Sequence, residues 1–142
     1  AVSRNNQAEI RVLRNDGGLA FSTLLSVPVG ESPIYLVTED FNRDGRADLV
    51  VSNYATGTIS VLFGSASGFS GQSYPAGVGP TALMAQDLSG DGVPDILVTS
   101  LIGGEFRVMV GDGQGGFPAL PTFPGTAGAT DALLQAMTGD GL

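Results

Sequence analysis

Short apolar runs alternate with glycine-rich polar stretches along the whole 142-residue chain. Asp48–Asn53 and Asp95–Ser100 are dominated by continuous apolar runs, the pattern of strands covered on both faces. Thr58–Phe63 places Ile59, Val61 and Phe63 on one face at a period of two, and Glu105–Val110 is its counterpart. Ser32–Phe41 and Pro80–Leu88 read as strands preceding the two apolar runs. Leu24–Val29 and Ser73–Gly77 are weaker and contain Pro28 and Pro75. Proline cannot donate to an interior ladder, so these read as outermost, edge strands.

The elements recur. Ile10–Phe21, Ile59–Phe69 and Phe106–Phe117 align with one another, their starts 49 and 47 residues apart. Asp44-Gly45 returns 47 residues later as Asp91-Gly92, and Asp140-Gly141 follows 49 residues beyond. One period across the chain, with four short strands per period, predicts an all-β fold of β-propeller blades. The expected division is a partial blade at 1–29, blades at 30–78 and 79–127, and the start of a further blade at 128–142. Three repeats would leave sheet edges open, which predicts either a fragment of a larger propeller or copies that associate to complete one.

Two stretches carry chemistry. The first is Asp40-Phe41-Asn42-Arg43-Asp44-Gly45-Arg46-Ala47-Asp48; the second is Asp87-Leu88-Ser89-Gly90-Asp91-Gly92-Val93-Pro94-Asp95. Oxygen side chains fall at positions one, three, five and nine. Position seven, Arg46 or Val93, can offer its backbone carbonyl, and the position-six glycine permits a sharp turn. Calcium takes about six to eight such oxygens. Position twelve is Val51 or Val98, so the bidentate Glu of an EF-hand is absent. The competing reading is a metal-free Asp/Gly turn. Two loops of one spacing, in phase with the repeat, favour the metal, as does the mutual repulsion of crowded carboxylates. The third copy, Ala136–Leu142, lacks the position-one acid and is expected to hold no calcium.

Composition narrows the rest. There is no His and no Cys, which removes the commonest general base and the usual zinc and copper ligands. Only hard oxygen donors remain, suited to calcium or magnesium. A net charge of −8 with six Lys and Arg argues against a nucleic-acid partner. No apolar run approaches the length of a membrane span. No secretory leader is visible, consistent with a removed leader or an internal stretch of a longer chain.

The two Asp-x-Asn/Ser-x-Asp-Gly-x-x-Asp loops resemble the FG-GAP/VCBS repeats that build the integrin α-subunit propeller and many exported bacterial proteins. The Val61-Leu62-Phe63-Gly64 and Val108-Met109-Val110-Gly111 strands and the Gly111–Phe117 turn add to the likeness. So do the Gly30-x-x-Pro33 and Gly79-Pro80 lead-ins. The resemblance implies a β-propeller whose blades hold calcium between their first two strands. It implies Asp40, Asn42, Asp44, Asp48 and the Arg46 carbonyl as one ligand set. Asp87, Ser89, Asp91, Asp95 and the Val93 carbonyl are implied as the other.

The function expected is a calcium-binding extracellular module for adhesion, protein–protein interaction or self-assembly. Calcium would be structural, and the partner a protein, a glycan or further copies of the chain. One alternative is a lectin, for which Tyr54 is the candidate stacking residue, although packing on the next blade is its plainer role. A second is the non-catalytic propeller portion of a secreted polysaccharide-active enzyme. No catalytic role is expected of the chain itself: Glu31, Glu39, Glu105, Asp16 and Asp112 form no recurring acid–base pair and read as solvated charges. Arg11 and Arg107 read as repeat-linked surface residues, with Ser60 between them in the series.

Overall fold

The computed structural model describes residues 2–3 and 8–124. These form eleven strands and no helix: β1 Val2–Ser3, β2 Glu9–Gly17, β3 Ala20–Pro28, β4 Pro33–Glu39, β5 Asp48–Asn53 and β6 Thr58–Ser65. They continue as β7 Gly68–Pro75, β8 Pro80–Gln86, β9 Asp95–Ser100, β10 Glu105–Met109 and β11 Ala119–Pro124. Three antiparallel sheets result, ordered β1-β2-β3, β4-β5-β6-β7 and β8-β9-β10-β11. Each is a meander of sequential neighbours, so every sheet is a blade-like unit built from one repeat. The segment 128–142, with the third acidic loop inside it, lies outside the described residues.

The second strand of each four-stranded unit is buried at all six positions. The reason lies in the stacking. Val50, Ile59 and Val61 on one face of the middle sheet join Phe41, Leu83, Ile96, Val98, Met109 and Phe117 in one core. Leu49, Val51 and Leu62 on the opposite face join Ile10 and Val27 of the first sheet in a second core. The middle sheet is thus covered on both sides, which is what its continuous apolar runs require. Strand β4 packs against β8, bringing the first strands of adjacent sheets side by side.

The fourth strands differ from expectation. They begin earlier, at Ala20 and Gly68, and end at Pro28 and Pro75. Each pairs in tight hairpin register with the third strand, as in Ser65↔Gly68 and Gly17↔Ala20. Both are largely exposed, β7 through small and polar residues and β3 with Phe21 and Leu24 facing out, so no buried apolar alternation marks their starts. They do occupy the sheet edges, as their prolines demand.

Candidate metal-binding loops

Each acidic loop joins the first and second strands of a four-stranded sheet: 40–47 between β4 and β5, and 87–94 between β8 and β9. The first starts from the half-buried Asp40 and the second from the exposed Asp87, and both end on a fully buried carboxylate, Asp48 or Asp95. The backbone turns left-handed at positions four and six, with φ of +59° at Arg43, +81° at Gly45 and +80° at both Gly90 and Gly92. Only at Arg43 does a residue with a side chain accept that conformation, which is sterically disfavoured by about 1–2 kcal/mol.

The hydrogen bonds repeat with the sequence. The position-one carboxylate accepts the position-six N–H, Gly45 to Asp40 Oδ2 at 2.9 Å and Gly92 to Asp87 Oδ2 at 2.8 Å. The position-five carboxylate accepts the position-seven N–H, Arg46 to Asp44 Oδ1 at 2.9 Å and Val93 to Asp91 Oδ1 at 2.8 Å. In the first loop, Asp40 Oδ1 and Asn42 Oδ1 converge on one donor, the Asp44 N–H, at 3.0 and 3.1 Å. Ser89, at the equivalent of Asn42, turns its hydroxyl to Asp87 Oδ1 at 3.5 Å.

The last carboxylate fastens each loop to the sheet. Asp48 Oδ2 accepts the Phe41 N–H at 3.0 Å and Oδ1 accepts the Gly64 N–H at 2.8 Å. Asp95 Oδ2 accepts the Leu88 N–H at 2.8 Å and Oδ1 accepts the Gly111 N–H at 2.9 Å. Burial pushes the Asp48 carboxyl up; its bonds from Gly64 and Phe41 oppose this, and the charges of Asp44 and Asp40 add to it. Asp87 sits below the usual carboxylate range, chiefly because the Gly92 N–H stabilises its charge.

Gly64 and Gly111 are parts of the framework that sequence reading gave no role beyond the motif. A Cβ at Gly64 would lie 2.5 Å from the Ala47 carbonyl, and one at Gly111 would lie 2.5 Å from the Pro94 carbonyl. The third strand must pass that close to the loop for its N–H to reach the carboxylate. The signal was present in the sequence as a glycine recurring 16 residues after each position-nine Asp.

The first loop is also bound to its neighbours. Phe41 is fully buried and meets Phe117 edge-on, ring centroids 5.6 Å apart. Arg43 Nη2 donates to the Asp91 carbonyl in the second loop at 3.3 Å, so the two acidic loops are joined directly. Arg46 meets Asp44 at 3.5 Å in an exposed pair of little energetic weight.

The donor set is oxygen throughout, and each loop gathers three carboxylates, a neutral side-chain oxygen and the position-seven residue into one turn. That chemistry and backbone path suit a hard divalent cation. The carboxylates point to backbone N–H groups, and among the described residues no three acidic side chains are arranged around a common ion centre.

The remaining candidates lie elsewhere. Tyr54 is half-buried, its ring over Gly79 beside Ile102, the packing position on the next blade. Glu105 and Arg107 form a partly buried ion pair at 3.2 Å rather than independent solvated charges, and Glu9 and Arg11 pair likewise at 3.2 Å. Asp112 is drawn into its own turn by the Gln114 and Gly116 N–H groups, both at 2.8 Å.

Among protein families, the FG-GAP-like repeat matches residues 1–51 and 40–98. Comparison with curated proteins and with solved structures gives no match.

Proposed function

The chain belongs to the FG-GAP-like repeat family, and from that membership we propose that it is a calcium-stabilised, extracellular binding module of propeller-like blades. The observation that carries the reading is the identity of the two acidic loops. They share spacing, left-handed turns and hydrogen-bond framework, and they stand at the same place in consecutive sheets.

Calcium would be held by Asp40, Asn42, Asp44, Asp48 and the Arg46 carbonyl in one loop. Asp87, Ser89, Asp91, Asp95 and the Val93 carbonyl would hold it in the other. Bound there, it supplies positive charge to carboxylates that otherwise repel one another. The chain's own part is to fix the loop: the buried Asp is tied to the third strand, and Phe41 and Arg43 tie the first loop to the next sheet. We read the role as structural, because the loop would wrap its own oxygens around the ion and its last carboxylate is already tied to the third strand. Extracellular calcium, in the millimolar range, would fill loops of this type. The partner is a protein, a glycan or a further copy of the chain, in adhesion or assembly.

Thermal unfolding in excess calcium and in excess EGTA tests the reading. Each site at a hundredfold excess over its Kd adds about 2.7 kcal/mol, so the unfolding midpoint should rise by several degrees. An unchanged midpoint would overturn the structural role.

A further inference from the structure

Thr58 and Ser60 hold positions occupied in the flanking sheets by an ion pair. The register makes the equivalence firm: Glu9, Thr58 and Glu105 pair across their sheets with Pro28, Pro75 and Pro124. Glu9 is followed two residues on by Arg11, and Glu105 by Arg107. In the third sheet Glu105 reaches back toward the preceding one, so that a Cβ on Gly77 would lie 2.7 Å from its Oε1. The middle sheet has only hydroxyls at these positions.

A cleft of about 360 Å³ opens there, between the first and second sheets. Its floor includes Ser60 and Leu62, both buried, and its rim includes Thr56, Gln72 and Ser73, which are exposed. Among the described residues, no charged side chain lines it. Behind it stands Asn53, fully buried, whose Nδ2 donates to Thr58 Oγ1 at 3.2 Å and Ser60 Oγ at 3.0 Å. The ladder continues from Thr58 to Thr56 at 2.9 Å and from Ser60 to Ser73 at 3.5 Å.

Asn53 Oδ1 has no hydrogen-bond partner among the described residues. Exchanging the amide oxygen and nitrogen does not cure this, because the unpaired end then becomes a donor. A buried polar group left unmatched is destabilising, so this network is incomplete as it stands.

We propose that the cleft is a site for a neutral sugar. Hydroxyls that both donate and accept, set beside the C–H surface of Leu62, match a saccharide's alternation of hydroxyl and carbon faces. The uncharged character of its described lining disfavours an ionic ligand. The cleft volume falls within the range of small-molecule pockets, roughly 300–1,000 Å³. No acidic-loop residue lines the site, so the proposal is independent of calcium.

The test is heteronuclear NMR on the full chain, titrated separately with glucose, galactose and mannose. At least one sugar should shift the Asn53 side-chain amide and the Thr58 and Ser60 amides saturably. The variant T58E/S60R installs the pair that the neighbouring sheets carry and should weaken binding roughly tenfold or more. The variant T58V/S60A removes both hydroxyls at nearly constant volume and should weaken it to a similar degree. Absence of any saturable shift at these residues with all three sugars would overturn the proposal. So would binding that persists undiminished in either folded variant.

Discussion

Asp48 Oδ1 accepts the Gly64 N–H at 2.8 Å from 16 residues along the chain, and this bond fixes the end of the first acidic loop to the third strand. Asp95 and Gly111 repeat it at 2.9 Å in the next sheet. Asp48→Ala would leave the Phe41 and Gly64 N–H groups unmatched inside the protein. The expected loss is about 2–4 kcal/mol by urea unfolding in EGTA, where calcium plays no part. Asp44→Ala, at an exposed position, should cost under about 1 kcal/mol in the same assay. Equal losses for the two would show that the buried tether is not the stabilising element.

Gly64→Ala and Gly111→Ala test the same contact from the other side. Either added methyl meets a loop carbonyl at 2.5 Å, and relief requires the strand to move away from the buried carboxylate. Destabilisation of about 1–3 kcal/mol is expected from each. Chemical denaturation measures it, and a neutral result would mean that the loop yields freely.

Arg43 combines a strained backbone with a bridging side chain. Arg43→Ala loses the bond to the Asp91 carbonyl and keeps φ at +59°. Arg43→Gly loses the same bond but relaxes the backbone, as Gly90 does in the second loop. The glycine variant should be the more stable by about 1 kcal/mol in thermal unfolding. Identical midpoints would indicate that the left-handed turn carries no strain.

Acid should loosen the Gly111–Phe117 turn. The Gln114 and Gly116 N–H groups hold the Asp112 carboxyl below its ordinary value. A carboxylate of lower pKa in the folded state stabilises fully above its unfolded-chain value, about 4, and that contribution is lost as pH falls through the folded value. Asp112→Asn should therefore flatten this part of the acid stability profile, read by unfolding midpoints across the acidic range. An unchanged profile would contradict the assignment.

The acidic loops and the central strands were legible because both carry dense signals. Asp48–Asn53 and Asp95–Ser100 match the observed strands at both ends, since burial on two faces leaves a continuous apolar run bounded by polar ends. The period-two face of Ile59, Val61 and Phe63 likewise packs into the core between sheets. The outer strand Gly68–Pro75 was only half seen. Its small polar residues satisfy backbone pairing without a buried face, so its extent depends on hairpin register rather than on hydropathy. The loop's spacing of oxygen side chains could be read from the sequence, but its anchoring could not. The Gly64 and Gly111 contacts, the reach of Arg43 and the unmatched Asn53 amide each depend on segments that only the fold brings together.

Calorimetric titration of calcium into the full chain, stripped of metal beforehand, tests the central claim most directly. The account predicts saturable binding at both described loops. Asp44→Ala should abolish the first site alone, and the Asp44→Ala, Asp91→Ala double variant should abolish both. Absence of saturable calcium binding, or binding that survives intact in the double variant, would contradict it.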